Sequence, residues 1–260
     1  MYNSLLYTNT DGVCTITLNR PDVYNAFNEE LSAEFIDALK KTAKDETARV
    51  VVITGAGKAF CSGQDLQDVK KADGNRSLGD SVVRRYNPMI LGVREMPKPV
   101  ICRLNGVAAG AGASLAMACD IIVAAENASL VQAFANIGLV LDSGSSFFLP
   151  HLIGYNKAFE FATLGSKVTA AEAHRLGIIN KLVTAEELDA AVKEFTDRYA
   201  VAAPKSMAII KKMLNKALSS TLRDALQYEA YSQEIAGSSE DYKEGVQAFL
   251  DKRTPRFQGR

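Results

Sequence analysis

Histidine is scarce in this chain: His151 and His174 are the only two, and they fall in no paired-ligand spacing. The four cysteines, Cys14, Cys61, Cys102 and Cys119, stand far apart. A zinc or other metal site built from close Cys and His pairs is therefore not expected. Apolar or small neighbours surround each cysteine, the setting of reduced, buried thiols in a cytoplasmic protein rather than of a disulfide framework. Positive charge is not in excess either. Lys plus Arg and Asp plus Glu both number 30, for a formal net charge of +0, which argues against a nucleic-acid partner. No apolar run approaches the roughly 20 residues of a membrane span. The first residues have neither the basic start nor the apolar core of a signal peptide.

What is abundant is core material. Hydrophobic residues make up 47% of 260, enough for one large domain or one domain with an appendage. Cys14, Ile16 and Leu18 alternate with threonines, the period of a half-buried strand. Asp11-Gly12 before them signals a hairpin with Leu5 to Thr8. Asn28 reads as an N-cap, followed by Glu29 and Glu30 and an apolar stripe of Leu31, Phe35, Ala38 and Leu39. Val50 to Thr54 is a continuous apolar strand of the kind buried on both faces. Residues 72 to 81, polar and glycine-containing, read as a mobile loop. Val83, Tyr86, Ile90 and Val93 space a second amphipathic helix that Pro97-Lys98-Pro99 stops.

Val100 to Leu104 reads as a strand, as do Ile121 to Ala124 and Ser129 to Gln132. Thr169 to Glu172 and Thr184 to Glu187 both fit a capping box. Ser206 to Leu218, Thr221 to Ile235 and Glu240 to Leu250 read as helices. The order of elements predicts an α/β fold with crossover connections and a helical C-terminal section.

Between the strand at Val100 and the strand at Ile121 lies Asn105-Gly-Val-Ala-Ala-Gly110-Ala-Gly112-Ala113, a run too small to fill a core. Its use is close approach, or a helix start whose N–H groups are left bare to meet negative charge. It is neither a phosphate loop nor a dinucleotide fingerprint, since no Gly-Lys-Ser/Thr follows and Leu115 stands where the third glycine belongs. Gly112-Ala-Ser114-Leu-Ala116 approximates a nucleophile elbow. Asp142 and His174 follow it in hydrolase order, a weaker alternative because Ala116 replaces the final glycine and the partners come early.

The stretch Ala59-Phe60-Cys61-Ser62-Gly63-Gln64-Asp65-Leu66, the run from Asn105 to Gly112, and Cys119-Asp120 with its apolar continuation together resemble the enoyl-CoA hydratase/isomerase (crotonase) family. The resemblance extends to Leu18-Asn19-Arg20-Pro21 and Asn25-Ala26 near the start, and to Asp251-Lys252-Arg253, Pro255 and Phe257 near the end. It implies a crotonase-type spiral of ββα units, with a core over 1–200 carrying the thioester site. Residues 201–260 would then form a helical region for oligomerisation and site completion, in a homotrimer or a dimer of trimers. The implied substrate is an acyl-CoA thioester, with coenzyme A part of the substrate and no separate cofactor.

Also implied by the resemblance is an oxyanion hole made by the backbone N–H groups of Gln64 and Ala111. Such donors stabilise the enolate formed when a thioester loses its α-proton. Arg20, Tyr24 and Ala26 correspond to neighbours of the nucleotide, Ala59 and Ser62 to residues near the adenine. Asp65 and Leu66 complete that motif. Lys252 and Phe257 correspond to a contribution to the same site, often from a neighbouring subunit. The walls of the acyl pocket are expected from residues 72 to 90 and from around Phe134.

At the two places where hydratases of this family carry glutamates, this chain has Ser114 and Phe134, so the acid pair for water addition is missing. Asp142 is the candidate catalytic carboxylate, at a place where isomerases of the family carry theirs, including the branch acting on 1,2-epoxyphenylacetyl-CoA. An apolar neighbourhood of Leu139, Val140, Leu141, Phe147 and Phe148 would raise its pKa. The competing structural role for Asp142 and Ser143 is N-capping the helix that begins near Gly144. The expected activity is 3-enoyl-CoA to 2-enoyl-CoA isomerisation. Hydration of 2-enoyl-CoA and silent acyl-CoA binding are the alternatives.

Overall fold

A computed structural model describes residues 2–71 and 77–260. Strands β1 (Leu5–Thr10) and β2 (Val13–Leu18) form the opening hairpin. Asp11 and Gly12 both turn through positive φ, 51° and 82°, the turn whose twist matches the strands it joins. Asn28 caps α1 (Glu29–Lys44), its side-chain oxygen accepting from the Leu31 N–H at 2.9 Å. Leu31, Phe35, Ala38 and Leu39 are the buried stripe of that helix.

The chain then climbs in repeats of strand, strand and helix. The first holds β3 (Val50–Gly55), β4 (Ala59–Cys61), α2 (Leu66–Lys71), α3 (Leu78–Ser81) and α4 (Asn87–Arg94). The second holds β5 (Val100–Leu104), β6 (Val107–Ala109) and α5 (Ala111–Ala118), and the third β7 (Ile121–Ala125), β8 (Ser129–Val131) and α6 (Ser145–Leu164). Strand β9 (Lys167–Thr169), α7 (Ala170–Arg175), β10 (Lys181–Val183) and α8 (Leu188–Ala200) follow. The chain ends in α9 (Pro204–Ala217), α10 (Leu222–Gly237) and α11 (Glu240–Leu250).

In each repeat the first strand joins a six-stranded sheet, β1-β2-β3-β5-β7-β10, and the second a four-stranded sheet, β4-β6-β8-β9. The repeats therefore stack as a spiral, with the strands they contribute pairing in parallel. Every residue of β3 is buried, because alternate side chains serve two cores. Val51 and Ile53 face the large core with Leu31, Phe35, Phe60 and Leu115, while Val50 and Val52 meet Leu188, Ala191 and Val192 of α8. Each such side chain contributes about 1.5–3 kcal/mol on burial, which makes β3 a rigid base for the turn that follows it. The Lys211 ammonium on α9 ties the helical section to the spiral through the Asp120 carboxylate (2.7 Å), just before β7, and the Val93 carbonyl (2.8 Å) of α4. Among the described residues no helix is long and apolar enough to cross a membrane.

Three expectations change. The helix through Val83 is interrupted by a π-helical turn, Val82–Tyr86. Its extra residue per turn rotates the register, so Val83 is 63% exposed and Val82 packs on the core instead. Of the loop expected at 72–81, residues 72–76 lie outside the described residues, and Leu78–Ser81 is helical with Ser77 as its cap. At Thr184–Glu187 the Glu187 carboxylate does accept from the Thr184 N–H and hydroxyl, at 3.2 and 3.0 Å. Those bonds close a turn, and α8 begins only at Leu188.

Candidate active site

Two asparagines hold the turn between β3 and β4. Asn25 is fully buried with φ 58°. Its amide donates to the carbonyls of Ala56, Ala59 and Phe60 while its oxygen accepts from the Arg20 N–H. From the other side Asn105 donates to the Gly57 and Ala59 carbonyls and accepts from Gly55. This grip delivers Ser62 to Asp65 against the segment Tyr24–Phe27: Ser62 N–H to Tyr24, Phe27 N–H to Gly63 and Asp65 N–H to Phe27, at 2.9, 2.7 and 3.0 Å. Asn25→Ala strips a donor from buried carbonyls and leaves a positive φ to alanine. A loss of about 3 kcal/mol in unfolding free energy is expected, read from urea denaturation.

Gly63 turns through φ 89°, and a Cβ there would stand 2.7 Å from the Ala109 carbonyl and 3.4 Å from the Ala111 nitrogen. Only glycine allows that approach, which brings the Gly63–Gln64 peptide beside the start of α5. Gly112 repeats the device one turn on, since its Cβ would overlap the Cys61 carbonyl at 2.2 Å. Ala111 is the first helical residue of α5, after the N-cap Gly110, which provides no side-chain cap. Among the described residues neither the Gln64 nor the Ala111 N–H donates to a protein acceptor. The structure thus brings the two expected donors into one place, with free amides.

Phe134 is buried with its ring against Gly110, 3.6 Å from where a Cβ would sit. Ser114, fully buried, bonds to the Gly110 carbonyl at 3.1 Å and to Ser145 Oγ at 2.5 Å. His174 is elsewhere, its Nδ1 on the Ile179 carbonyl at 2.9 Å. Among the described residues the hydrolase arrangement is therefore absent: buried Ser114 serves local carbonyls and Ser145, and no histidine partners it.

Asp142 lies in the turn before α6. Its carbonyl accepts from the Ser145 N–H at 3.0 Å, and the Ser114 hydroxyl lies 3.4 Å away. Its carboxylate accepts only the Ser143 hydroxyl, at 2.8 Å, among the described residues. Burial pushes its pKa up, against the opposing Ser143 bond. N-capping is not its role, since α6 starts after Gly144 with no side-chain cap. Of the expected apolar neighbours, Val140 turns away and is 83% exposed. Leu141 and Phe148 belong to the core or pack on it.

The remaining expected residues divide into two groups. Arg20 donates to the Ala26 carbonyl at 2.6 Å and pairs with Asp65 at 3.0 Å. Burial would raise the Asp65 pKa, but the Arg20 bond and charge outweigh it and hold the carboxyl below its ordinary value. Tyr24 and Leu66 are exposed beside this pair, Ser62 is half-buried, and Ala26 and Ala59 lie beneath the surface. Lys252 and Phe257 are not brought here. The Phe257 carbonyl faces Arg49, and its ring packs on Gly245 of α11. Arg49 precedes β3, whereas the site lies beyond its far end, about 17 Å along the strand.

The sequence pattern of the enoyl-CoA hydratase/isomerase family matches residues 8–260. The chain belongs to that family. It is 43% identical to the 1,2-epoxyphenylacetyl-CoA isomerase of Escherichia coli, over 96% of each chain. It is 32% identical to the trans-2-decenoyl-(acyl-carrier-protein) isomerase of Streptococcus mutans, over 100% of this chain and 99% of the other. A crystal structure of enoyl-CoA hydratase from Bacillus anthracis superposes with a TM-score of 0.94 at 32% identity, covering 99% of this chain and 100% of that one. The spiral is therefore the crotonase fold.

This hydratase/isomerase chain has site residues that sequence reasoning missed. Gln132 donates to Ser145 Oγ at 3.0 Å, and both are fully buried. Their one signal in the sequence is polarity next to apolar runs. Neither the Asn25 grip nor the Arg20–Asp65 pair had any, beyond the presence of those residues in motifs.

Proposed function

We propose that the protein is an acyl-CoA isomerase converting 3-enoyl-CoA to 2-enoyl-CoA, with ring-1,2-epoxyphenylacetyl-CoA as a further substrate. The observation that carries this reading is Asp142: among the described residues its half-buried carboxylate has one hydroxyl partner, its pKa is raised, and its main-chain carbonyl lies 3.4 Å from the Ser114 hydroxyl in the first turn of α5. In this mechanism the thioester oxygen receives the Gln64 and Ala111 N–H groups. Asp142 removes the C2 proton, the negative charge spreads to the carbonyl oxygen, and the same carboxyl returns the proton at C4. A raised pKa suits a group that must both take and give a proton.

Hydration needs a second acid–base group to activate water. Ser114 and Phe134 supply none, which favours the isomerase, while the names of the relatives divide between isomerase and hydratase. Tyr24, Ser62, Leu66 and the Arg20–Asp65 pair form the rim along which coenzyme A would lie, in a cytoplasmic enzyme without a further cofactor. Exposed Leu214, Leu222 and Leu226 on the C-terminal helices, with Leu218 between them, support self-association, which the family resemblance makes a homotrimer or dimer of trimers. In that assembly a neighbour would present its Lys252 and Phe257 to the coenzyme A of this chain.

The test is a panel of straight-chain and aromatic CoA thioesters assayed for both isomerisation and hydration. Faster double-bond migration than water addition supports the reading. Substantial hydration of crotonyl-CoA reinstates the hydratase, and binding without turnover leaves a silent binder.

A further inference from the structure

We infer that Ser114 is a positioning residue that orients the Gly110–Ala111 peptide and ties it to the Asp142 turn, with Ser145 and Gln132 holding its hydroxyl. The inference rests on Ala111 as an oxyanion donor. The N–H of that donor and the carbonyl of Gly110 belong to one peptide unit. The carbonyl end takes two bonds from Ser114, from its N–H at 3.0 Å and from its hydroxyl at 3.1 Å. A bond to the carbonyl fixes the plane of the peptide and polarises its N–H, so the donor at the other end is both aimed and strengthened. The same hydroxyl lies 3.4 Å from the Asp142 carbonyl, which also accepts the Ser145 N–H at 3.0 Å. One side chain therefore touches the backbone of both halves of the site.

The direction of the chain follows from its donors. The Gln132 amide can only donate to Ser145 Oγ (3.0 Å), so the Ser145 proton goes to Ser114 Oγ (2.5 Å) and the Ser114 proton to a carbonyl. All three side chains are fully buried. Gln132 Oε1 has no partner among the described residues, an expense of burial that an apolar residue would avoid. The amide is retained for its donor.

The experiment compares wild type, Ser114→Ala and Ser145→Ala by two readouts. One is the infrared carbonyl stretch of bound butyryl-CoA labelled with carbon-13 at the carbonyl. The other is kcat and KM on 3-enoyl-CoA. Butyryl-CoA has no double bond to move, so its stretch reports the hole whether or not Asp142 is the proton shuttle. In wild type the stretch should fall below its solution value. In Ser114→Ala it should move back toward that value, with kcat down about tenfold, less than the 10²–10³ of deleting a donor outright, and KM little changed. Ser145→Ala should shift both in the same direction by less, and it decides the matter alone if Ser114→Ala does not fold. A wild-type stretch at unaltered kcat in both variants overturns the inference. So does a loss of kcat with the stretch unmoved, which would make the network merely structural. If wild type itself shows no lowering, the hole is absent and the inference falls with it.

Discussion

Asp142→Asn lowers kcat on 3-enoyl-CoA by about 10³-fold with KM nearly unchanged, the size expected for removing a positioned acid–base group. The amide fills the same space and still accepts from Ser143, so a general loss of folding would not explain the result. Burial holds the wild-type carboxyl above its ordinary 3.8, and only the ionised form takes a proton. The acid limb of the kcat/KM profile should therefore lie above that ordinary value, and the variant should lack it. The same shift has an opposite consequence for stability. Between the unfolded and the folded pKa the native state binds the proton more tightly, so wild-type stability falls as pH rises through that window. Above it, the variant should be the more stable protein. Urea midpoints at acidic and neutral pH check both signs, and a wild-type midpoint that rises across the window would contradict the assignment.

Ala111→Pro is the second large effect: turnover falls by about 10²–10³-fold, the cost of losing one oxyanion donor. Unfolding free energy should stay within about 1 kcal/mol of wild type, because proline is well tolerated at the first position of a helix, where the N–H has no intrahelical partner. Ala111 is that position in α5, and its N–H meets no protein acceptor among the described residues. Circular dichroism melts together with turnover on 3-enoyl-CoA separate the two effects. Unchanged turnover would remove Ala111 from the mechanism.

Much of this architecture was legible because its causes are local. The alternation at Cys14, Ile16 and Leu18, the Asn28 cap and the all-apolar β3 each declare themselves within a few residues. The small residues after Asn105 already suggested a helix start with bare N–H groups, but Gln64 and Ala111 as the particular donors were legible only through the resemblance carried by the Gly63 and Gly110 motifs. Other features depend on distance or on geometry without a sequence period. The π-helical turn moved Val83 outward because nothing in the spacing of apolar residues marks one extra residue. Val140 sits in an apolar run yet faces solvent, since neighbours in sequence need not be neighbours in space. The Arg20–Asp65 pair spans 45 residues, and the Ser114–Ser145 bond 31. Folding brings these together, and no local rule announces them.

In this mechanism one carboxyl both takes and returns the proton. That double role is tested most directly by giving the enzyme 3-enoyl-CoA deuterated at C2 in ordinary water and locating the label in the 2-enoyl-CoA product by NMR. Deuterium should appear at C4 in a measurable share of product at the earliest turnovers, diluted by exchange with water. Product with no deuterium at C4 even at the earliest turnovers would contradict return of the proton by the carboxyl that removed it.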